Sequence, residues 1–240
     1  TQPATPPPNV PPGGVTATNA NPVNVRSGPG TSYATLGQLP TGSVIAPTAR
    51  WGSGSRAWVR FDFNGQEGWI AAWLLRFTGD LNSLPDLQAQ QAAAEAAVRQ
   101  ICATGAGVPQ AAAYTGGAGV HPTLVLNDPQ GTNHTWASQE PASWRPGTML
   151  STQLVACVSA QYEEKIEHCY YNGPDIERFQ WVMPVRLLAA QSGQTVASNT
   201  LRGDPPRECR MWEDYWLVRL DGRPVTPQQL WDWLRPYTQP

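Results

Sequence analysis

The stretch from Val23 to Leu75 constrains this chain more than any other part of it. Val23-Asn24-Val25-Arg26 alternates apolar and polar side chains, so Asn24 and Arg26 leave the face that Val23 and Val25 bury. Ser27-Gly28-Pro29-Gly30 then makes a tight turn, with Pro29 fixing its own φ and the glycines free to take positive φ. Tyr33 and Leu36 follow, and Leu39-Pro40-Thr41-Gly42 turns the chain again. In Trp58-Val59-Arg60-Phe61-Asp62-Phe63 the period is two. Val59, Phe61 and Phe63 take the core side; Trp58, Arg60 and Asp62 take the other. Asn64-Gly65 is the strongest two-residue hairpin signal, because a type I′ turn needs positive φ at both positions. Gly68-Trp69-Ile70 returns the chain.

In order, these residues give Asn-Val-Arg-x-Gly-Pro-x (Asn24 to Gly30), a leucine, a glycine, a tryptophan-bearing strand and a closing Gly-Trp-Ile. The pattern resembles the bacterial SH3-like domain (SH3b), a small β-barrel, and covers about a quarter of the chain. The resemblance implies a non-catalytic module of secreted and envelope proteins, some of which bind peptidoglycan or peptides. It also implies recognition by the loops at one barrel rim and an adjoining outward strand face. That selects Asn24, Arg26, Tyr33, Trp51, Trp58 and Arg60 as ligand-binding candidates. Trp51 sits in the flexible loop Arg50-Trp51-Gly52-Ser53-Gly54-Ser55, and an aromatic wall edged by arginine can stack on a sugar or peptide plane while pairing with a carboxylate. The competing expectation is that Arg26 only satisfies carbonyls of its own turn and Trp58 packs against the second domain.

One such barrel leaves most of the 240 residues to account for, so a second unit is required. We divide the chain into a Pro/Thr-rich linker (1–14), an SH3b barrel (15–78), a helix and linker (79–119) and an α+β domain of unknown function (120–240). The fold class is mainly β: an SH3-like barrel followed by an antiparallel sheet packed with two helices. A net charge of −2, without a long basic patch, excludes nucleic acid as the expected partner. No apolar run approaches the ~20 residues of a membrane helix. The tract Thr1-Gln2-Pro3-Ala4-Thr5-Pro6-Pro7-Pro8 favours extended polyproline II, like the tethers that hold secreted lipoproteins off a membrane. It points to a lipid anchor upstream, an ordinary tail being the alternative.

Four cysteines, none in a C-x-x-C pair, favour disulfides in an oxidising compartment over zinc. We expect Cys157 to pair with Cys169 across a hairpin turning at Tyr162-Glu163-Glu164, and Cys102 with Cys209. The helix over Leu84–Cys102 is expected to be capped by Ser83, with Leu87, Ala94, Val98 and Ile101 on its apolar stripe. Strands are expected over Pro122–Leu126, Thr152–Ser159, Lys165–Tyr171, Arg178–Ala190, Thr195–Arg202 and Leu217–Leu220, as an antiparallel meander with both helices on one face. Thr226-Pro227-Gln228-Gln229 is a capping box opening a final helix. This half weakly resembles uncharacterised regions of secreted bacterial lipoproteins.

Candidate chemistry in the second half is sparse. Cys157 with His134 or His168 can be written as a hydrolase pair, but Cys157 lies inside an apolar strand rather than at a helix N-terminus, which favours a disulfide. The histidines at 121, 134 and 168 have no metal-ligand spacing, so no metal or cofactor is expected. Eleven tryptophans are mostly core, with a minority left for a ligand platform. The expectation is a non-catalytic, extracytoplasmic binding protein whose partner is peptidoglycan or an envelope protein. The alternative is a cell-wall hydrolase with its catalytic site in residues 120–240.

Overall fold

The computed structural model describes residues 14–170, 175–210 and 218–239, and the chain divides into two units, 1–93 and 94–240. The Pro/Thr tract before Gly14 lies outside the described residues, as do Tyr171 and Leu217 at the ends of two expected strands.

In the first unit the strands are β1 (Thr16–Asn19), β2 (Val23–Arg26), β3 (Thr35–Leu39), β4 (Val44–Ile45), β5 (Ala49–Trp51), β6 (Trp58–Phe63), β7 (Gln66–Ala71) and β8 (Leu75–Thr78). They pair antiparallel in the orders β4-β1-β8 and β3-β2-β7-β6-β5. Asn64 and Gly65 hold φ of 56° and 80°, the left-handed pair the hairpin demands, and Phe63 faces Gln66 across it. Val23, Val25, Ile45, Val59, Phe61 and Ile70 fill the interior, as alternation along β2 and β6 requires. Gly68 lets β7 approach closely: a Cβ there would lie 2.7 Å from Val25 Cγ1.

Neither Gly28 nor Gly30 takes positive φ, contrary to expectation. What Gly28 supplies is room, since a side chain there would overlap the Tyr33 ring.

The outer face of β6 and β7 is also covered. Trp58, Trp69 and Ala71 are buried there in a second cluster, with Trp51 and Leu87 against them. Leu87 opens α1 (Leu87–Thr104), and Asp86 rather than Ser83 caps that helix. Asp86 Oδ1 accepts from the N–H groups of Gln88 (3.1 Å) and Ala89 (3.2 Å). Ser83 is occupied in its own 3-10 turn, Leu81–Ser83, capped by Asp80, which moves the helix start three residues on.

The remaining elements are β9 (Thr123–Asn127), β10 (Leu154–Val158), β11 (Tyr162–Cys169), β12 (Ile176–Ala189), β13 (Thr195–Arg202), β14 (Arg219–Asp221) and α2 (Pro227–Thr238). Among the described residues they make a six-stranded sheet centred on β12. It is mostly antiparallel, but β9 runs parallel to β10 and β14 parallel to β12, so it is not a pure meander. A parallel neighbour needs a long crossover, and residues 128–153 provide it.

The two helices lie on opposite faces of this sheet, not on one. Leu154, Ala156 and Val158 pack in a cluster with Leu230, Trp231 and Leu234 of α2. Val155 and Cys157 pack with Val98, Ile101 and Cys102 of α1. The reason is visible in β10 itself: Leu-Val-Ala-Cys-Val is apolar on both faces, and all five residues are buried. The expected capping box of α2 is present, with Thr226 N–H donating to Gln229 Oε1 at 2.8 Å.

Both expected disulfide pairings are corrected. Cys102 bonds Cys157 and Cys169 bonds Cys209, with Cα separations of 5.5 and 6.3 Å. Cys157 and Cys169 do not face each other because β10 and β11 are not a hairpin. They run end to end along one edge of β12: Val158 pairs with Val185 and Tyr162 with Val182. The connector Ser159-Ala160-Gln161 bulges outward opposite Pro184, whose carbonyl accepts from Ser159 N–H at 3.1 Å but which has no N–H to return.

Candidate functional site

β2 sends Asn24 and Arg26 out of the barrel core, as alternation demands. Along β7 and into the turn after it, the same alternation puts Ile70 and Ala72 inside and Trp69 and Ala71 outside, so Trp73 continues the outer row. Trp73 falls in the 3-10 turn Ala72–Leu74 that joins β7 to β8, and the turn lifts it into solvent. It is 52% exposed, and its ring meets Trp58 edge-on at 5.6 Å and 84°.

These side chains frame a groove of about 550 Å³ on the first unit. Its apolar wall is Trp73 on Trp58, extended by exposed Leu74. Its polar wall is Asn24, whose Oδ1 accepts from Gln38 Nε2 at 3.4 Å. Among the described residues two cations line it, Arg26 and Arg76, and no carboxylate does. Arg26 Nη1 donates to the carbonyls of Thr31 (3.0 Å) and Tyr33 (2.9 Å), which fixes the guanidinium against its turn. Arg76 is exposed on β8 and has no ion-pair or hydrogen-bond partner among the described residues.

The groove gathers Asn24, Arg26 and Trp58 from the expected ligand set and leaves out Tyr33, Trp51 and Arg60. Tyr33 is 46% exposed but packs against its own turn beside Gly28. Trp51 is half-buried against the Trp58–Trp69 cluster. Arg60 is engaged across the sheet, with Nη1 3.3 Å from Glu67 Oε2 while Glu67 Oε1 accepts from Trp69 Nε1 at 2.8 Å. Trp58 does face away from the barrel core, but the outer cluster leaves it only 8% exposed. Trp73 and Arg76 were missed; the two-residue period running on from Trp69 and Ala71 is the signal that finds Trp73.

Residues 21–76, which hold both walls of the groove, match the family described as the bacterial SH3 domain. This segment is a bacterial SH3 domain. The match ends at Arg76, so the SH3 domain takes in every groove residue from Asn21 on and leaves the second unit unassigned. No curated protein matches the chain. No helix among the described residues is long and apolar enough to cross a membrane.

In the second unit the candidate chemistry disperses. The Cys157 sulfur is bonded to Cys102, which removes it as a nucleophile. His121 is buried with both ring nitrogens hydrogen-bonded, to Gln153 Oε1 and the Gly117 carbonyl at 2.7 Å each. His168 stacks on Tyr170 at 4.4 Å and sits 3.1 Å from Asp175. Glu167, Cys169 and Cys209 come together, but the disulfide consumes both thiols as metal ligands.

Proposed function

We propose that this chain is a non-catalytic, extracytoplasmic binding protein whose SH3 domain holds a carboxylate-bearing peptide or glycopeptide of the cell envelope. The observation that carries the reading is the exposed Trp73 beside Arg26 and Arg76 in a groove lined, among the described residues, by no acid. An aromatic platform offers apolar area with little conformational entropy to lose. Two guanidiniums supply fork-shaped donors matched to a carboxylate. Two disulfides support an oxidising compartment. Sedimentation of the whole chain with purified peptidoglycan tests this, alongside Trp73→Ala and Arg76→Ala. The expected result is pelleting of the parent and loss by both variants; a parent that stays in the supernatant, or variants that pellet equally, removes the groove as the site.

A further inference from the structure

A second concavity lies wholly within the second unit, where the β10–β11 line breaks opposite Pro184. It measures about 270 Å³ and draws its walls from three segments that the sheet brings together. Asn127 ends β9 and Asp128 follows it, His134 to Trp136 come from the crossover, and Ser159 to Gln161 form the bulged connector. Buried Met183 belongs to both this lining and the core. Bulges of this kind re-aim groups and end strand pairing, and they recur beside functional sites.

Exposed Gln130 and half-buried Thr135 also line the pocket, and the remaining polar groups fall into two sets. Asn127 and Gln161 are committed to the framework. Asn127 Nδ2 donates to Thr132 Oγ1 (2.9 Å) and the Asn133 carbonyl (3.2 Å). Gln161 bonds both backbone groups of Val225, at 3.2 and 2.9 Å. The other set has capacity left over. His134 Nδ1 accepts the Trp136 N–H at 3.2 Å, so in the neutral ring the proton sits on Nε2. Burial holds this imidazole below its ordinary pKa, which keeps it neutral. Its Nε2–H is thus a donor without a protein acceptor among the described residues. Asp128 Oδ2 accepts from Arg186 Nη2 at 2.8 Å, and its Oδ1 has no protein donor among the described residues. Ser159 Oγ has no protein partner among the described residues. The Trp136 indole meets His134 edge-on at 4.9 Å and completes the wall.

Charge decides the ligand class. Among the described residues Asp128 is the only ionised side chain in the lining, and Arg186 neutralises it from outside. Nothing here attracts an anion or a cation strongly. Size decides the rest: the volume is just below the ~300–1,000 Å³ of drug-sized sites, which leaves space for one ring. A ring with an apolar C–H face and a hydroxylated edge uses an indole, one fixed donor and two acceptors together. We propose that this pocket is a binding site for a single neutral sugar residue, separate from the SH3 groove.

The test is titration of the whole chain with glucose and with N-acetylglucosamine, read by the Trp136 indole N–H in nuclear magnetic resonance. The signal is assigned by its loss in Trp136→Phe. Glucuronate and glucosamine are the charged controls. The expected result is a saturable shift of the Trp136 signal with at least one neutral sugar, weakened about tenfold in Ser159→Ala, which removes a hydroxyl with no internal partner, while Trp73→Ala leaves it unchanged. Failure of both neutral sugars to move that signal overturns the proposal. So does an equal response to glucuronate or glucosamine, or an unchanged titration in Ser159→Ala. Because the readout sits at Trp136 and Trp73→Ala is a separate arm, failure here is distinct from failure of the SH3 groove.

Discussion

Arg50 Nη1 lies 2.7 Å from Asp86 Oδ2, and both side chains are mostly shielded from water. Arg50 N–H also donates to the Pro85 carbonyl at 2.9 Å, so β5 is tied to the residues that open α1. Burial works to raise the Asp86 carboxyl, but the Ala89 N–H and the Arg50 guanidinium overcome it and hold the group below its ordinary pKa. One carboxylate therefore caps the helix and neutralises a half-buried arginine. Asp86→Ala should destabilise the first unit by about 1–3 kcal/mol, from the lost cap and an arginine left unpaired. A fragment of residues 14–93 should correspondingly be more stable to urea than one of 14–77, which uncovers the Trp58–Trp69 cluster by losing Leu87. Equal midpoints would show that Leu87 and Asp86 contribute nothing to the barrel.

Trp73 should separate binding from stability. Its ring is half in solvent, so Trp73→Ala should cost the fold no more than about 1 kcal/mol while weakening groove binding by roughly tenfold or more. Circular dichroism melts and calorimetric titration with a peptidoglycan fragment measure the two effects. Tyr33→Ala, outside the groove, should leave affinity unchanged.

Glu140 gives the second unit a pH dependence. It is 5% exposed, its Oε1 has no partner among the described residues, and burial raises its pKa to about 7 against a smaller lowering by Arg145. The folded state therefore holds this proton more tightly than the unfolded chain. Stability is at its full value below the unfolded pKa near 4.5 and falls as pH rises toward 7, by up to roughly 3 kcal/mol. Glu140→Gln keeps the shape without the charge and should flatten Tm between acid and neutral pH. A variant whose Tm tracks the parent at every pH would assign the dependence elsewhere.

The disulfides should map as Cys102–Cys157 and Cys169–Cys209 in non-reducing peptide digests. The first closes 55 residues, and on the chain-entropy model its loss in Cys102→Ser/Cys157→Ser should cost about 4 kcal/mol. Recovery of a Cys157–Cys169 peptide would contradict the end-to-end placement of β10 and β11.

The barrel was readable because its signals are local. Asn64-Gly65 needs only its own backbone, and Val59 and Phe61 declare their face within one strand. The second unit was harder because its decisive facts are distant in sequence. A polar stretch at Tyr162-Glu163-Glu164 looks like a turn, yet these residues begin β11, where Glu163 and Glu164 pair with Arg219 and Arg202. Nothing between Cys157 and Cys169 shows that a single 14-residue strand elsewhere can accept both segments in line. The site divided in the same way. Alternation in β2 gave Asn24 and Arg26, whereas Trp73 depended on a turn that reads as a continued apolar run.

Strand β12 has neighbours on both edges: β10 and β11 along one, β13 and β14 along the other. Its amides cannot reach water by peeling from an edge, because freeing either side means unzipping another strand first. Their exchange with deuterium should therefore be among the slowest in the second unit and should occur through whole-unit unfolding. In that sense β12 acts as a clasp: the unit opens altogether or stays shut, and the free energy read from its slowest amides is the stability of the whole unit.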